Sequence, residues 1–490
     1  MRDLAAFNPG LLLEDLARTD SQGIAVIGPS RSWTWRELHR HATACGEGLA
    51  GQGVGSGTRV AINGLNGPSW LVAATAIAAR DAVSVPLNIR WAQTERDAWL
   101  ARSGARGILH VDTDDRNATP EWQDLAPAGT NAGDVHWARD LMTLMATSGS
   151  TGSPLGIGLR PEAHAAHIRA HLSETGLGRE DRVLVVLPLF HIGGLNAWWR
   201  ALATGSTLIL LPRFEVAGVT AAYRDHAPTM ASMTGTMLRT LLTEGVHPGP
   251  GMRYLLAGGE ALPEEVGRAM AVIRGSYGMT ETCGHVAFGE AGAAATQGVH
   301  MQPGTRVAVL GEDGTPLGPG RPGRIAITGP TLCRGWLDEH GSWQPQQPGL
   351  PLLTRDFGHL ADDGRLILHP RPESLILSGG ENISPVEIEA VLEKLPEVAR
   401  ALVAGVPDPH WGMRPAALVV PVAGIPEATV HAALFEALTA RLGRFKHPKA
   451  IHLVRELPVL ASGKLDRKEG ARCLVRLEQG GDAPSGVEPD

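Results

Sequence analysis

The stretch Thr147-Ser148-Gly149-Ser150-Thr151-Gly152-Ser153-Pro154-Leu155-Gly156 decides how the rest of this chain is interpreted. It follows the apolar run Leu141–Met145, which is typical of a buried strand. Small residues let backbone N–H groups and hydroxyls converge on an anion, so the stretch predicts a phosphate-binding loop. A flexible Gly/Ser surface loop is the alternative that these residues leave open. No Gly-Lys-[Ser/Thr] follows at the spacing of a Walker loop.

A second stretch, Tyr277-Gly278-Met279-Thr280-Glu281-Thr282, brings an aromatic ring, a hydroxyl and a carboxylate together in the chain. The ring can pack on a purine, the hydroxyl can bond a phosphate, and the carboxylate can hold magnesium. An ordinary helix N-terminus with Thr280 as its cap is the alternative interpretation.

Three further stretches follow: Thr354-Arg355-Asp356-Phe357-Gly358, Ser378-Gly379-Gly380-Glu381-Asn382-Ile383-Ser384-Pro385, and Leu460-Ala461-Ser462-Gly463-Lys464-Leu465-Asp466-Arg467. The pair Asp363-Gly364 after the first of them predicts a hairpin turn. The last contains Lys464, one of only five lysines, of which the first is Lys394. Every earlier cation is arginine or histidine. A lysine that is kept, or an expected lysine replaced by an uncharged residue, is therefore informative.

The order of predicted elements indicates an α/β protein. Amphipathic helical patterns such as Trp35–Leu49 alternate with β-rich runs such as Arg59–Ile62 in the first 140 residues. From near Thr305, glycine, proline and aspartate punctuate short strands and predict a small β-rich subdomain. An α+β pattern follows the candidate linker Pro370-Arg371-Pro372. We therefore predict a large N-terminal domain at 1–371, a small mobile α+β domain at 372–478 and a disordered tail at 479–490.

Composition excludes several classes of protein. The 490 residues are 43% hydrophobic and 19% charged, with a mean hydropathy of −0.04, which is typical of a globular chain. A net charge of −7 gives no general attraction to nucleic acid or to an anionic membrane. The four cysteines lie far apart without C-x-x-C spacing, so we expect neither disulfides nor a zinc knuckle, and we predict a reducing cytoplasm. No apolar run approaches the length of a membrane helix.

Taken together, the five stretches resemble the adenylate-forming superfamily of acyl-CoA synthetases, standalone adenylation domains and luciferases, in their order and spacing. The resemblance spans almost the whole chain. The segment Pro188-Leu189-Phe190-His191-Ile192-Gly193-Gly194-Leu195 is most similar to aryl- and succinylbenzoate-CoA ligases. It implies an enzyme that joins a carboxylic acid to ATP and then passes the acyl group from AMP to coenzyme A.

The resemblance implies a role for each matching residue in the first half-reaction. The loop would hold the ATP phosphates with Thr147, Ser148, Gly149, Ser150, Thr151 and Gly152. Gly259, Glu260 and Tyr277 would surround the adenine. Thr280 would contact the α-phosphate, Glu281 would hold Mg²⁺, and Asp356 would bind the ribose hydroxyls with Arg371 nearby. Lys464 would bridge the substrate carboxylate and the α-phosphate.

The resemblance also implies roles in the second half-reaction. Glu373 occupies a hinge position, where the family usually has aspartate, and rotation there would withdraw Lys464. The rotation would present the Gly379-Gly380 loop to the pantetheine arm. Trp411, Phe445 and Lys446 match positions that contact the CoA nucleotide, although packing is an equal alternative for Trp411 and Phe445. His191 would gate the acyl pocket near the carboxylate, with a structural histidine as the alternative.

Three positions depart from the family pattern. The phosphate loop normally ends Pro-Lys-Gly but reads Pro154-Leu155-Gly156 here; Gly275 replaces a polar residue and Arg355 a common glycine. A lysine that bonds a phosphate contributes about 1.5 to 3 kcal/mol. Its loss would slow the ATP half-reaction about ten- to two-hundredfold, whereas thioester formation involves no triphosphate.

The sequence thus leads to the hypothesis of a CoA ligase, for a bulky hydrophobic, aromatic or terpenoid acid, that favours the second step. A separate partner enzyme would supply its acyl-adenylate, as in antibiotic biosynthesis of the platensimycin diterpenoid type. The alternatives are a conventional two-step aryl- or succinylbenzoate-CoA ligase and a catalytically idle binding relative. We expect a roomy hydrophobic acyl pocket near Gly193-Gly194, Ser232–Thr236 and Gly258-Gly259, and a monomer or homodimer.

Overall fold

The computed structural model describes most of the chain. The described residues are 4, 7–91, 93–113, 118–125, 135–147, 154–258, 266–267, 272–290, 298–369, 375–378, 381–408, 411–460 and 465–480. No helix among them is long and apolar enough to cross a membrane.

Helices in this part of the chain include the following: α1 Pro9–Thr19, α2 Trp35–Gly51, α3 Pro68–Ala79, α4 Gln93–Ser103, α5 Pro161–Thr175, α6 Ile192–Thr204, α7 Val216–His226, α8 Gly235–Thr243, α9 Pro385–Leu392, α10 Glu427–Arg441 and α11 Arg467–Glu478. Short 3₁₀ turns cover Val135–Ala138, Thr280–Thr282 and Arg444–Lys446.

The strands that alternate with the first helices are these: β1 Ile24–Ile27, β2 Ser32–Thr34, β3 Arg59–Asn63, β4 Val83–Pro86, β5 Gly107–His110, β6 Glu121–Asp124, β7 Thr143–Thr147, β8 Leu155–Leu159, β9 Arg182–Val185, β10 Thr207–Leu210, β11 Met230–Met233, β12 Tyr254–Ala257 and β13 Ile273–Met279. The later strands are these: β14 Gly284–Glu290, β15 His300–Met301, β16 Arg306–Leu310, β17 Gly323–Thr328, β18 Gly335–Leu337, β19 Trp343–Pro345, β20 Leu352–Leu360, β21 Leu366–His369, β22 Ile376–Ser378, β23 Glu381–Ile383, β24 Val398–Asp408, β25 Gly412–Pro421 and β26 Ile451–Leu453.

Contacts divide the chain into two compact units. The larger consists of Met1–Arg321, Ile325–Thr354 and Leu360–Ile367, and the smaller of Pro322–Arg324, Arg355–His359 and Leu368–Asp490. The proposed linker 370–372 lies outside the described residues. So does the predicted tail, except for residues 479 and 480, which end α11 by hydrogen bonds to its last turn.

Two large sheets form the centre of the larger unit. One has the strand order β15-β14-β13-β12-β11-β9-β10-β1-β2, and the other β19-β18-β8-β7-β4-β3-β5-β6. The inner strands of the first sheet pair in parallel, whereas β2, β14 and β15 pair antiparallel with their neighbours. Parallel strands joined by helices are buried on both faces. The continuous apolar sequence of β9 and β10 follows from that burial, and the α/β fold prediction is confirmed.

Local sequence explains where the helices begin and end. Thr34 and Glu37 form a reciprocal capping box at the start of α2, which satisfies two backbone N–H groups. Proline opens α5, and Gly176 and Gly205 end α5 and α6 in the left-handed conformation. Helix α6 is buried nearly all round and packs through Trp198, whose ring stacks on Trp35 with centroids 6.0 Å apart. Trp198 therefore serves packing in the core.

A four-stranded sheet with the order β16-β17-β20-β21 accounts for the predicted β-rich region. Asp363-Gly364 lies in the turn between β20 and β21, where Gly364 has a φ of 81°, so the hairpin prediction is confirmed.

The smaller unit is built on a sheet of its own, with the order β23-β22-β25-β24 and β26 beside β25. Helices α9 and α10 bury one apolar cluster against this sheet. Helix α11 contributes to a second cluster through Cys473 and Leu474. The α+β pattern predicted from the sequence is present.

Candidate functional site

The predicted phosphate loop is carried by the hairpin of β7 and β8. Thr147 and Leu155 form the last pair of this antiparallel ladder, and residues 148–153 between them lie outside the described residues. The Thr147 hydroxyl donates to the Leu155 carbonyl at 3.5 Å. The Leu155 side chain is half-buried and packs against the main core. Hydrocarbon therefore stands at the base of the loop, where the family pattern has an ammonium group.

The turn Thr280–Thr282 lies against β8. It is a 3₁₀ turn between β13 and β14 with Met279 at its N-cap. The alternative of a helix capped by Thr280 is therefore wrong. The Thr282 hydroxyl lies 2.9 Å from the Met279 carbonyl and 2.7 Å from the Gly284 carbonyl, and this locks the turn from inside.

Cys333, on a neighbouring segment, holds the same turn from outside. The backbone N–H of Cys333 donates to the Glu281 carbonyl at 2.8 Å. Burial, followed by the negative charge of Glu281, raises the pKa of the Cys333 thiol to about 12. Cys283 follows the turn with a φ of 58° and is completely buried, so it packs as a small hydrophobic residue. Thr280 and Glu281 are thus presented from a fixed backbone.

Tyr277 and Gly278 end strand β13 next to this turn. Tyr277 is buried and pairs with Ala287 across the ladder. A Cβ at Gly278 would lie 2.2 Å from the Gly284 carbonyl oxygen, so only glycine fits there. The role of Tyr277 at the adenine stays a prediction.

His191 occupies the N-cap position of α6, with its ring centroid 4.7 Å from that of Phe190. The loop before it is held by Asn66, a buried residue that the sequence reasoning missed. The Asn66 amide donates to the Leu187 carbonyl at 3.0 Å, and its carbonyl accepts from the Leu189 N–H at 2.8 Å. Because the Asn66 side chain both donates to and accepts from this short loop, it fixes the position at which α6 begins.

Helix α6 connects His191 with the Thr280–Thr282 turn. Asn196, one turn into the helix, donates from its amide to the Cys283 carbonyl at 2.8 Å. Arg200 lies one further turn along the same face, about 6 Å deeper. The face of α6 that carries Asn196 and Arg200 therefore leads from the turn into the interior of the unit.

Arg200 is a buried cation without a carboxylate partner among the described residues. One terminal nitrogen of its guanidinium donates to His171 Nδ1 at 3.1 Å, and His171 Nδ1 lies 3.2 Å from Nε2 of His285. Burial, together with neighbouring imidazoles and Arg200, holds the pKa of His171 and of His285 well below its usual range. Burial lowers the pKa of Arg200 to about 10, so the guanidinium stays charged at pH 7 beside neutral rings.

A cavity of about 10 Å³ lies beside Arg200, bordered also by His171, Ser232 and Tyr254. It has room for about one water molecule. The buried Tyr254 hydroxyl finds no hydrogen-bond partner in the described part of the chain. This cavity is small, and apolar side chains form most of its lining. The expected acyl pocket near Ser232–Thr236 stays a prediction.

In the smaller unit, Trp411 and Lys446 are accessible. Trp411 is 48% exposed in the turn between β24 and β25, and its backbone N–H donates to the Asp408 carboxylate at 2.9 Å. The Lys446 ammonium donates to both carboxylate oxygens of Glu387 at 2.7 Å. Exposure of Trp411 disfavours the packing alternative for this residue. Asp356 is half-buried on β20.

Several predicted site residues lie outside the described residues, and their roles stay predictions. They are Ser148, Gly149, Ser150, Thr151, Gly152, Gly259, Glu260, Arg371, Glu373, Gly379, Gly380 and Lys464. The side chain of Phe445 is also outside them.

The donor set around the turn fits a magnesium nucleotide. Hydroxyl and carboxylate oxygens are the ligands that Mg²⁺ prefers, and Thr147, Thr280 and Glu281 supply them on neighbouring elements. The nucleotide phosphates would meet a backbone that is already fixed.

The sequence pattern of the AMP-binding enzyme family matches residues 13–337, and that of the AMP-binding enzyme C-terminal domain matches residues 387–464. The chain belongs to the AMP-binding enzyme family, which places it in the adenylate-forming superfamily, and the predicted enzyme class is confirmed.

Relatives similar over the whole length are CoA ligases. A 2-succinylbenzoate–CoA ligase of Bacillus licheniformis is 33% identical, covering 93% of this chain and 98% of that protein. A feruloyl-CoA synthase of Amycolatopsis is 32% identical, with 93% and 97% covered.

A solved structure of the Bacillus subtilis o-succinylbenzoate CoA synthetase with its acyl-adenylate intermediate superposes with a TM-score of 0.80, at 28% identity, covering 94% of this chain and 97% of that one. The same synthetase has been solved with ATP and magnesium ion, with a TM-score of 0.78 at 29% identity and coverage of 94% and 98%.

Proposed function

We propose that this protein is an acyl-CoA ligase that uses ATP, Mg²⁺ and coenzyme A to convert a carboxylic acid into its CoA thioester through an acyl-adenylate. The observation that carries the proposal is the fixed Thr280–Thr282 turn beside the phosphate hairpin, in a chain that matches CoA ligases over its whole length. An idle binding relative would have no need of this complete oxygen donor set.

In the first half-reaction, a carboxylate oxygen of the acid attacks the α-phosphorus of ATP, and pyrophosphate leaves. Thr147 would hold the phosphates, Thr280 the α-phosphate, and Glu281 would hold Mg²⁺, which neutralises charge on the phosphate oxygens when bound. Asp356 and Arg371 would orient the ribose. Lys464 would neutralise the charge that develops between the carboxylate and the α-phosphate.

In the second half-reaction, the CoA sulfur attacks the acyl carbonyl carbon, the thiol proton is lost, and AMP leaves. We propose that the domain boundary follows residue 371 and that Glu373 is the hinge. Rotation there would replace Lys464 by the Gly379-Gly380 loop, with Trp411 and Lys446 at the CoA nucleotide.

We further propose that Leu155 makes the first half-reaction the slow one. Its side chain packs into the core instead of reaching a phosphate, so the loop lacks one charge-assisted hydrogen bond. Thioester formation from a supplied acyl-adenylate would be unaffected. A separate adenylating enzyme could then act as partner, and diterpenoid antibiotic biosynthesis remains one setting for such a division.

The buried Arg200 supports a particular class of acid. A guanidinium without a buried counterion is costly to fold, and a ligand carboxylate would supply the missing charge. The cavity beside it has room for about one water, so the side chains around it would have to move apart to admit a carboxylate group. We propose an acid whose reacting carboxylate lies near His191 and the Thr280–Thr282 turn, and whose second anionic group reaches Arg200.

This substrate class favours the second candidate, a conventional two-step ligase for an aromatic dicarboxylic acid such as 2-succinylbenzoate. The observation in its favour is again Arg200, because a terpenoid or fatty acid with a single carboxylate leaves the guanidinium unpaired. The two candidates differ in the class of acid and in how well ATP supports turnover.

Acyl-CoA formation measured by mass spectrometry across a panel of acids tests both. Each acid is offered as the free acid with Mg-ATP and as its preformed acyl-adenylate. Product from both forms establishes the conventional ligase, and product from the adenylate alone establishes the thioesterifying enzyme. Absence of product from either form, with dicarboxylic and monocarboxylic acids alike, would refute the ligase proposal. A cytoplasmic location stays an expectation.

A further inference from the structure

An ion pair is buried in the smaller unit between α9 and the start of α11. Glu389 of α9 is 6% exposed, and its two carboxylate oxygens meet the two terminal nitrogens of Arg467, one of them at 2.6 Å. Two parallel hydrogen bonds of this kind fix both distance and orientation.

The pair also includes the backbone of the long strand β24. The N–H of Val403 donates to Glu389 at 2.7 Å, and Arg467 donates to the carbonyl of the same Val403 at 3.1 Å. Two helices and one strand therefore meet at a single residue of the sheet. A displacement of Glu389 would release the start of α11 from the sheet.

The contacts continue toward Lys464, three residues before Arg467 in the chain. Asp466 caps α11 by accepting from the Glu469 N–H at 3.0 Å, and its own N–H donates to the Pro458 carbonyl at 2.8 Å. Val459 and Leu465 form an antiparallel bridge. Described residues therefore fix the chain on both sides of the stretch that contains Lys464. On the C-terminal side, Arg467 provides the anchor.

We propose that Glu389 is a positioning residue for adenylation: by holding Arg467 on β24, it fixes the place from which the chain presents Lys464. The inference rests on the proposed function, in which Lys464 serves the first half-reaction and is withdrawn for the second. Glu389 itself touches no substrate.

The expected effect is selective for one half-reaction. A misplacement of about 1 Å at a reacting centre can reduce a rate about a hundredfold. Loosening the start of α11 should therefore slow adenylation by ten- to a hundredfold. Thioester formation from a preformed acyl-adenylate should stay within about twofold, because Lys464 is absent from it.

The test compares Glu389→Gln and Arg467→Lys with the wild-type full chain. Glu389→Gln keeps an acceptor for Val403 and removes the charge, whereas Arg467→Lys keeps the charge and removes the paired donors. Pyrophosphate-dependent ATP formation from acyl-adenylate reports the first half-reaction, and acyl-CoA formation reports the second. Equal losses in both reactions, or no loss in either, would overturn the proposal.

Glu478→Gln is the matched control, because Glu478 pairs with Arg414 at the opposite end of α11 with similar half-burial of both partners. It should lower the unfolding temperature without a selective loss of adenylation. A selective loss of the same size in Glu478→Gln would show that any ion pair of α11 has this effect, and would overturn the assignment to Glu389.

Hydrogen exchange measured by mass spectrometry separates this inference from the proposed function. Glu389→Gln should raise exchange at residues 465–470, the start of α11, at least tenfold and leave α10 protected. That result would support the positioning role of Glu389 even if the wild-type chain converted no acid. Failure of the wild type to convert any acid would refute only the ligase proposal. Unchanged exchange at 465–470 would overturn the positioning role even if the ligase proposal holds. Arg467→Lys provides the same readout should Glu389→Gln fail to fold.

Discussion

At position 155 the surroundings predict a charged residue and the chain has an uncharged one, whereas at position 200 the reverse holds. Leu155 stands at the base of a phosphate hairpin, where a cation is expected, and packs against hydrocarbon. Arg200 stands in a buried, largely apolar helix, where hydrocarbon is expected, and carries a charge. One position has lost a charge that a ligand would meet, and the other keeps a charge that the described residues leave without a carboxylate.

The difference shows what each position costs the folded state. Leucine at the end of a hairpin costs nothing in folding, so its effect falls on ligand binding alone. A buried guanidinium destabilises the fold unless something pairs with it. The buried charge of Arg200 therefore argues more strongly for a bound anion than the uncharged Leu155 argues against a bound phosphate.

Arg200→Met should give the largest effect. Removing one partner of a buried, hydrogen-bonded charge pair costs about 2 to 5 kcal/mol, so KM for an acid with a distal carboxylate should rise about thirtyfold or more. Steady-state thioester formation from the acyl-adenylates of 2-succinylbenzoate and of its distal methyl ester measures this change.

The methyl ester is the control for that variant. Its KM should change less than threefold, and the unliganded variant should be at least as stable as the wild type, because an unpaired buried charge has been removed. A wild-type enzyme that does not distinguish the two adenylates would contradict the proposed substrate class.

Leu155→Lys should raise ATP-dependent turnover about ten- to a hundredfold by restoring one charge-assisted phosphate contact. Thioester formation from preformed adenylate should stay the same. The matched control is Leu155→Met, which keeps the hydrocarbon and the packing and should leave both rates unchanged. Equal ATP-dependent rates for lysine and leucine would show that the loop does not need the cation.

Acidification should destabilise the histidine cluster around Arg200. Burial lowers the pKa of His164 to about 4 and holds the pKa values of His167, His171 and His285 well below 6.5. Because the folded state binds these protons less tightly than the unfolded state, the stability that the neutral rings provide is complete above pH 6.5 and is lost as the pH falls toward 4.

Urea denaturation at pH 7, 6 and 5 measures that loss. The free energy of unfolding should fall more steeply than a single proton explains, and His171→Asn should reduce the slope. A flat profile between pH 7 and 5 would mean that folding does not lower the pKa values of these rings.

Lys446→Gln should give the smallest effect. Lys446 is accessible and already paired with Glu387, and such pairs contribute about 0 to 1 kcal/mol. KM for CoA should rise no more than about fivefold at low salt, and the difference should vanish at high salt. A large, salt-independent rise would place Lys446 in a desolvated contact with CoA.

Secondary structure could be predicted largely from local patterns. The period of apolar residues predicted α2 to within two residues of its end. The errors lie at element ends, where hydrogen bonding to neighbours decides the last residue. The Thr280–Thr282 turn was a harder case, since the hydrogen bonds that hold it come from Thr282 and Cys333 and its N-cap is Met279 rather than Thr280.

Site residues divide in the same way. Thr147, Thr280 and Glu281 stand in continuous motifs, so the sequence could name them before their geometry was known. Asn66 and Arg200 act across long separations in the chain: Asn66 bonds Leu187, and Arg200 bonds His171. The one signal for Arg200 was a lone charge between Trp199 and Ala201 in an apolar helix.

The sequence by itself determined the superfamily, the α/β fold and the unusual Leu155, because short motifs in fixed order encode local backbone geometry and chemical groups. Only the tertiary structure decided that Arg200 meets neutral imidazoles and, within the described part of the chain, no carboxylate, and that Glu389 holds Arg467 on β24. Burial and pairing depend on which distant segments pack together, and no local pattern records that. The free-energy cost of burying a charge is likewise set by the groups around it in space rather than by its neighbours in the sequence.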